Sequence, residues 1–105
     1  FTTADPQLRC GRLRVDTASR RVWCGQSPVE LTRKEYALLE YLMRNQGAAL
    51  SRERIEQNIF NYDYEGASNM VDVYIRYLRK KVDEGFSPKL IHTVRGAGYV
   101  LREEA

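Results

Sequence analysis

The sequence predicts an α+β domain ordered as a sheet, three helices and a terminal hairpin. Three observations predict it. Short β-branched and aromatic runs, broken by turn residues, fill residues 8–31. Apolar residues at helical spacing replace them over residues 32–85. Two apolar runs, LIHTV and YVL, then flank Arg95-Gly96-Ala97-Gly98 within residues 90–102, and glycines supply the left-handed backbone a tight turn needs.

The strands come first. LRC, LRV and RRVWC are separated by Gly11 and by Asp16-Thr17-Ala18-Ser19, and Gly25-Gln26-Ser27-Pro28 precedes VEL. Val15, Val22, Val29 and Trp23 suit a pleated, half-buried surface. This is a four-stranded antiparallel meander. The period then changes at Thr32-Arg33-Lys34-Glu35, a capping box in which Thr32 accepts the N3 amide proton and Glu35 reaches back to the cap. Tyr36, Leu39, Leu42 and Met43 follow at helical spacing, so the first helix spans 33–45, with Gly47 as its stop. Ser51 caps a second helix over 52–60, with Ile55 and Ile59 facing inward and Phe60 closing it. The loop NYDYEGA, residues 61–67, leads to a third helix that starts near Ser68, runs to Glu84 and ends before Gly85; Ser87-Pro88 breaks the chain ahead of the hairpin.

At 105 residues, with 43 % hydrophobic and 30 % charged residues, this is one small folded domain with a modest core. No apolar run reaches membrane-spanning length and no signal peptide is visible. The chain opens on Phe1 rather than Met, so it is expected to be a piece of something longer. Cys10 and Cys24 form no C-x-x-C pair, and His92 is the sole histidine, so no zinc set and no cofactor motif can be assembled. Free thiols in a cytoplasmic protein are favoured over a disulfide. An enzyme is disfavoured: His92 has no paired nucleophile motif, and no Gly-rich loop introduces a helix.

The net charge of +3 and a pI of about 9.0 reach only the edge of the nucleic-acid range, so the location of charge matters more than its total. Arg76, Arg79, Lys80, Lys81, Lys89 and Arg95 crowd residues 76–95 against Asp83 and Glu84. On the third helix Val71, Ile75, Leu78 and Val82 form the core face. Asn69, Met70, Val73, Arg76, Tyr77, Lys80 and Lys81 form the opposite one, and Asp72 on the flank is placed to pair with Arg76 at i+4. An exposed aliphatic and a phenol among cations suit base edges, and a major groove accepts one α-helix. A basic solvated surface would show the same charges. The hairpin tips the balance: beside the third helix, Arg95 at its tip would reach the adjacent minor groove, where a narrow groove concentrates negative potential. Gly96 and Gly98, just after it, would let that backbone approach a duplex closely. A helix-turn-helix followed by such a hairpin is a winged helix. Single-strand and RNA binders, which stack bases on exposed sheet aromatics, fit less well, as does a winged helix devoted to protein contacts.

Residues 29–102 resemble the winged-helix effector domain of OmpR/PhoB-type response regulators, in LTRKEYALLEYLMRNQG, SRERI, NMVDVYIRYLRKKV and LIHTVRGAGYVL. The N-terminal strands fit that family by position more than by sequence. The resemblance implies the output half of a bacterial two-component system that regulates transcription. A receiver domain would precede this chain, residues 1–7 being linker remnant and 8–105 the DNA-binding domain. It implies double-stranded DNA as partner, as tandem direct-repeat half-sites. It implies DNA contacts from Asn69, Val73, Arg76, Tyr77 and Lys80 on the third helix. Arg79 would lie near a phosphate, Ser51 and Arg52 would face a phosphate at the start of the second helix, Thr93 would touch the DNA backbone, and Arg95 would enter the minor groove. RNA polymerase would meet the 61–67 loop, with Tyr62 and Tyr64 either there or packed on the domain's own surface. Many relatives have arginine where this chain has Tyr77, so their base preference at that step does not carry over.

Overall fold

The computed structural model of the chain describes residues 7–60, 70–84 and 89–103. The expectations for residues 1–6, Tyr62, Tyr64, Ser68, Asn69, Gly85, Ser87 and Pro88 lie outside the described residues. The element order is that read from the sequence: a winged helix with an N-terminal sheet.

Strands β1 (Gln7–Cys10), β2 (Leu13–Asp16), β3 (Arg21–Cys24) and β4 (Ser27–Val29) form an antiparallel sheet in chain order. Gln7, grouped above with the linker, already pairs with Asp16. The fourth strand also differs from expectation: Ser27 and Pro28 belong to it, opposite Cys24 and Trp23, rather than to the turn before it. An edge strand tolerates proline because its outer side makes no ladder bond. Alternation sends Leu13, Val15, Val22, Cys10 and Cys24 into the core, the two cysteines as free thiols.

Helix α1 (Arg33–Arg44) begins with the capping box complete: the Glu35 amide donates to Thr32 Oγ1 (3.3 Å) and the Thr32 amide to Glu35 Oε1 (3.0 Å). Tyr36, Leu38, Leu39, Leu42 and Met43 are buried on one face. Asn45 caps its end, and Gly47, at φ +85°, turns the chain and donates its amide to the Leu101 carbonyl (2.9 Å). Helix α2 (Arg52–Ile55) is short and runs on as a π-helical turn over Glu56–Phe60. Helix α3 (Met70–Leu78) likewise continues as a π turn over Arg79–Asp83. Val71, Ile75, Leu78 and Val82 are all buried, as their spacing predicts. Among the described residues no helix is long and apolar enough to cross a membrane.

The wing pairs β5 (Ile91–Val94) with β6 (Gly98–Leu101). Leu50, between α1 and α2, adds an antiparallel bridge to Tyr99, through Leu50 N–H to Tyr99 O (2.7 Å) and Tyr99 N–H to Leu50 O (2.9 Å). This gives Gly98 a role other than the expected one. At φ +130° its missing side chain leaves room for the chain at Leu50, since a Cβ there would lie 2.7 Å from the Leu50 carbonyl carbon and 2.8 Å from Ser51 Cα. The close approach that glycine permits here is to the domain's own backbone.

Asp83 joins the layers. It is 2 % exposed, and its carboxylate accepts from Arg12 in the β1–β2 turn (3.0 Å) and from the amides of Leu90 (3.1 Å) and Ile91 (3.0 Å). Arg12 also donates to the Val82 carbonyl (2.9 Å). Buried charge persists only when paired and hydrogen-bonded, and Asp83 is both.

Candidate nucleic-acid interface

The outward face of α3 begins from sequence periodicity. With Val71, Ile75 and Leu78 committed to the core, Arg76 and Tyr77 must point outward, and the turn that follows exposes Lys80. Tyr77 is 42 % exposed, the one large exposed hydrophobic among the described residues. Its ring meets Tyr74 edge-on at 5.4 Å, and Tyr74 in turn packs on Phe60 at 5.1 Å. A row of three rings thus holds the phenol in place. Val73, expected in the open, is half-buried. Arg76 and Lys80 make no ion pair or side-chain hydrogen bond among the described residues.

Two other residues of α3 and its following turn have partners other than those expected. Lys81 donates to Glu35 Oε1 at 2.7 Å, binding the end of α3 to the start of α1. Burial alone would raise the Glu35 carboxyl; hydrogen bonds from Lys81 and from the Thr32 amide, with the Lys81 charge, outweigh it and hold Glu35 below its ordinary value. Asp72 bonds not to Arg76 but across the fold. Its Oδ1 accepts from Arg52 Nε at 2.9 Å and from the Tyr99 hydroxyl. Spacing along one helix shows only the i+4 partner; the partners that win are 20 and 27 residues away in sequence.

Arg79 is spoken for as well. Its guanidinium donates to Thr93 Oγ1 (2.7 Å) and to the Ile91 carbonyl (3.3 Å), and lies over the Tyr99 ring at 5.8 Å. It therefore fastens the wing to α3, and Thr93 is its acceptor on an exposed stretch of β5. At the wing tip Arg95 is exposed and, like Arg76 and Lys80, has no ion pair or side-chain hydrogen bond among the described residues. Ser51 spends its hydroxyl on the α2 cap, accepting from the Arg54 amide (3.1 Å).

Four of the anticipated residues share one groove. Ser51, Arg52, Thr93 and Arg95 line a cleft between the start of α2 and the wing, together with Glu53, Glu56, Asp72 and Tyr99. Arg76, Tyr77 and Lys80 do not line it and lie on the exposed face of α3. The same cleft brings Asp72 and Tyr99 together, a convergence that spacing along the chain does not show.

A helix-turn-helix whose third helix shows unpaired cations, with a hairpin fastened alongside, defines the winged-helix class. Residues 25–101 match the family model described as "Transcriptional regulatory protein, C terminal". The chain belongs to this family, the OmpR/PhoB-type DNA-binding domains of transcriptional regulators. It is 50 % identical over 99 residues to the transcriptional regulatory protein TrcR of Mycobacterium tuberculosis, covering 94 % of this chain and 38 % of that protein. It is 45 % identical over 96 residues to the response regulator MprA of Mycobacterium bovis, covering 91 % and 42 %. The chain thus spans less than half the length of these relatives. Among solved structures, the RstA DNA-binding domain of Klebsiella pneumoniae in complex with the RstA box superposes with a TM-score of 0.81 at 31 % identity, covering 93 % of this chain and 98 % of that one.

Proposed function

We propose that this chain is the sequence-specific, double-stranded-DNA-binding output domain of a two-component response regulator, acting on transcription in the bacterial cytoplasm. Helix α3 lies in the major groove, and Arg95 at the wing tip enters the adjacent minor groove. Asn69, Val73, Arg76, Tyr77 and Lys80 face the bases and nearby backbone. Ser51, Arg52 and Thr93 lie along phosphates, and Arg79, bonded to Thr93, sits near one. A receiver domain precedes this chain through a linker, and two such domains sit head to tail on direct repeats. Tyr62 and Tyr64 are the candidate contacts for RNA polymerase.

The observation that carries this reading is the division of labour among the cations. Arg12, Arg79 and Lys81 are bonded within the domain, whereas Arg76 and Lys80 stand exposed on the α3 face with a held phenol and Arg95 stands exposed at the wing tip. A DNA duplex supplies the missing anions, and arginine can take guanine O6 and N7 bidentately. A relative of the same fold solved in complex with its DNA box supports DNA as the partner of this chain.

The test is selection from a randomised duplex pool, with the winners re-bound across a salt series. A recurring direct-repeat motif bound with a steep salt slope is expected; no enrichment with salt-insensitive binding would leave the basic face a solvated surface. Arg76→Ala should then weaken specific binding by about 1–3 kcal/mol and relax one base position. Uniform weakening would make Arg76 a phosphate contact. Arg95→Ala should lower the salt slope by about one.

A further inference from the structure

The groove between α2 and the wing holds carboxylates where a phosphate backbone is to lie. Asp72, Glu53 and Glu56 all line it. An acid facing phosphate costs affinity through like-charge repulsion, so its placement there needs a compensating role. The acids differ in one respect. Glu53 is exposed and makes no side-chain hydrogen bond or ion pair among the described residues. Asp72 is only 34 % exposed at its side chain and accepts from two groups at once, Arg52 on α2 and Tyr99 on β6.

We propose that Asp72 is a positioning residue for DNA binding: it clamps the Arg52 guanidinium and the Tyr99 hydroxyl, and so sets the distance and angle between the start of α2, α3 and the wing. This rests on the reading of Arg52 as a phosphate contact. Arg52 is otherwise a long side chain, 58 % exposed, that would sample many rotamers. The bond from Nε to Asp72 orients the planar fork. Ordering that side chain before DNA arrives removes an entropy loss from the binding step. The same carboxylate reaches Tyr99, whose backbone already pairs with Leu50, one residue before the α2 cap. Three elements that must match the spacing of adjacent grooves are thus tied at one oxygen, Asp72 Oδ1.

Asp72→Asn keeps the shape and an acceptor for Tyr99 but removes the charge that holds Arg52. Its binding to the selected duplex should weaken roughly three- to tenfold, with the salt slope lower by about one. Glu53→Gln, an acid removed from the same groove, should bind slightly tighter. In the Arg52→Ala background, Asp72→Asn should have no further effect. Unchanged or tighter binding by Asp72→Asn would overturn the proposal. So would a changed base preference with undiminished effect in Arg52→Ala, which would make Asp72 a direct base contact. A readout without DNA separates this from the functional reading: in the free protein the Arg52 Nε–H should give a protected NMR resonance that Asp72→Asn loses. Its absence from the unsubstituted protein overturns the clamp whether or not any duplex is bound.

Discussion

The N-terminal sheet and the wing are both antiparallel, yet they are held in different ways. In β1–β4 every strand pairs with its neighbour in sequence, and the inner face is Cys10, Leu13, Val15, Val22 and Cys24 against the helices. Apolar burial is non-directional, so this sheet is fixed by area more than by any single contact. The wing buries Ile91, Tyr99, Val100 and Leu101 at its base, but its approach to α2 and α3 is set by directional polar ties. These are Leu50 to Tyr99, Arg79 to Thr93, Asp72 to Tyr99, and Asp83 to the amides that open β5. A sheet packed flat on the helices can rest on area; a two-stranded hairpin set beside them needs bonds with geometry.

That contrast can be broken at Asp83, which bonds to both regions. Asp83→Ala should cost about 3–5 kcal/mol, because it removes the anion that Arg12 pairs with and the acceptor of two buried amides together. Denaturant unfolding would measure it, and hydrogen exchange should show both Arg12's turn and the β5 amides loosened. Loss confined to the wing would mean that Arg12 adds nothing to the N-terminal sheet.

Two glycines sharpen the comparison. Gly98→Ala should cost about 2–3 kcal/mol, since the added carbon meets the Leu50 backbone as well as an unfavourable φ of +130°. Gly25→Ala, in the β3–β4 turn at φ +67° with nothing within 4 Å of the added carbon, should cost only about 1–2 kcal/mol of backbone strain. Thermal melts compare the two, and the Tyr99 amide should lose exchange protection only in the first. Equal effects would show that the Leu50 bridge contributes little.

The smallest effect is a titration. Glu35 has a folded pKa below its ordinary 4.5, so the folded state binds fewer protons there than the unfolded one. Its contribution to stability is complete above about pH 4.5 and is lost as pH falls through the lower folded value. In Glu35→Gln the acid limb of a stability–pH curve should be shallower; an identical limb would show that the Lys81 bond contributes nothing to folding.

Much of this was legible in one dimension. Period two gave way to period 3.6 at Thr32, the capping box announced α1, and Val71, Ile75, Leu78 and Val82 announced which side of α3 is core, because side-chain direction follows from backbone repeat alone. The outward position of Arg76, Tyr77 and Lys80 followed by exclusion. What could not be read were the partners of long polar side chains. Asp72 had a neighbour at i+4 and took Arg52 and Tyr99 instead; Lys81 left the outer face for Glu35; Arg79 turned to Thr93; Gly98 made way for Leu50. Local periodicity is a property of the chain and is written in it. A hydrogen bond between residues far apart in sequence exists only once packing has set the distance, and so the tertiary structure alone decided which charges the domain keeps for itself and which it leaves facing out.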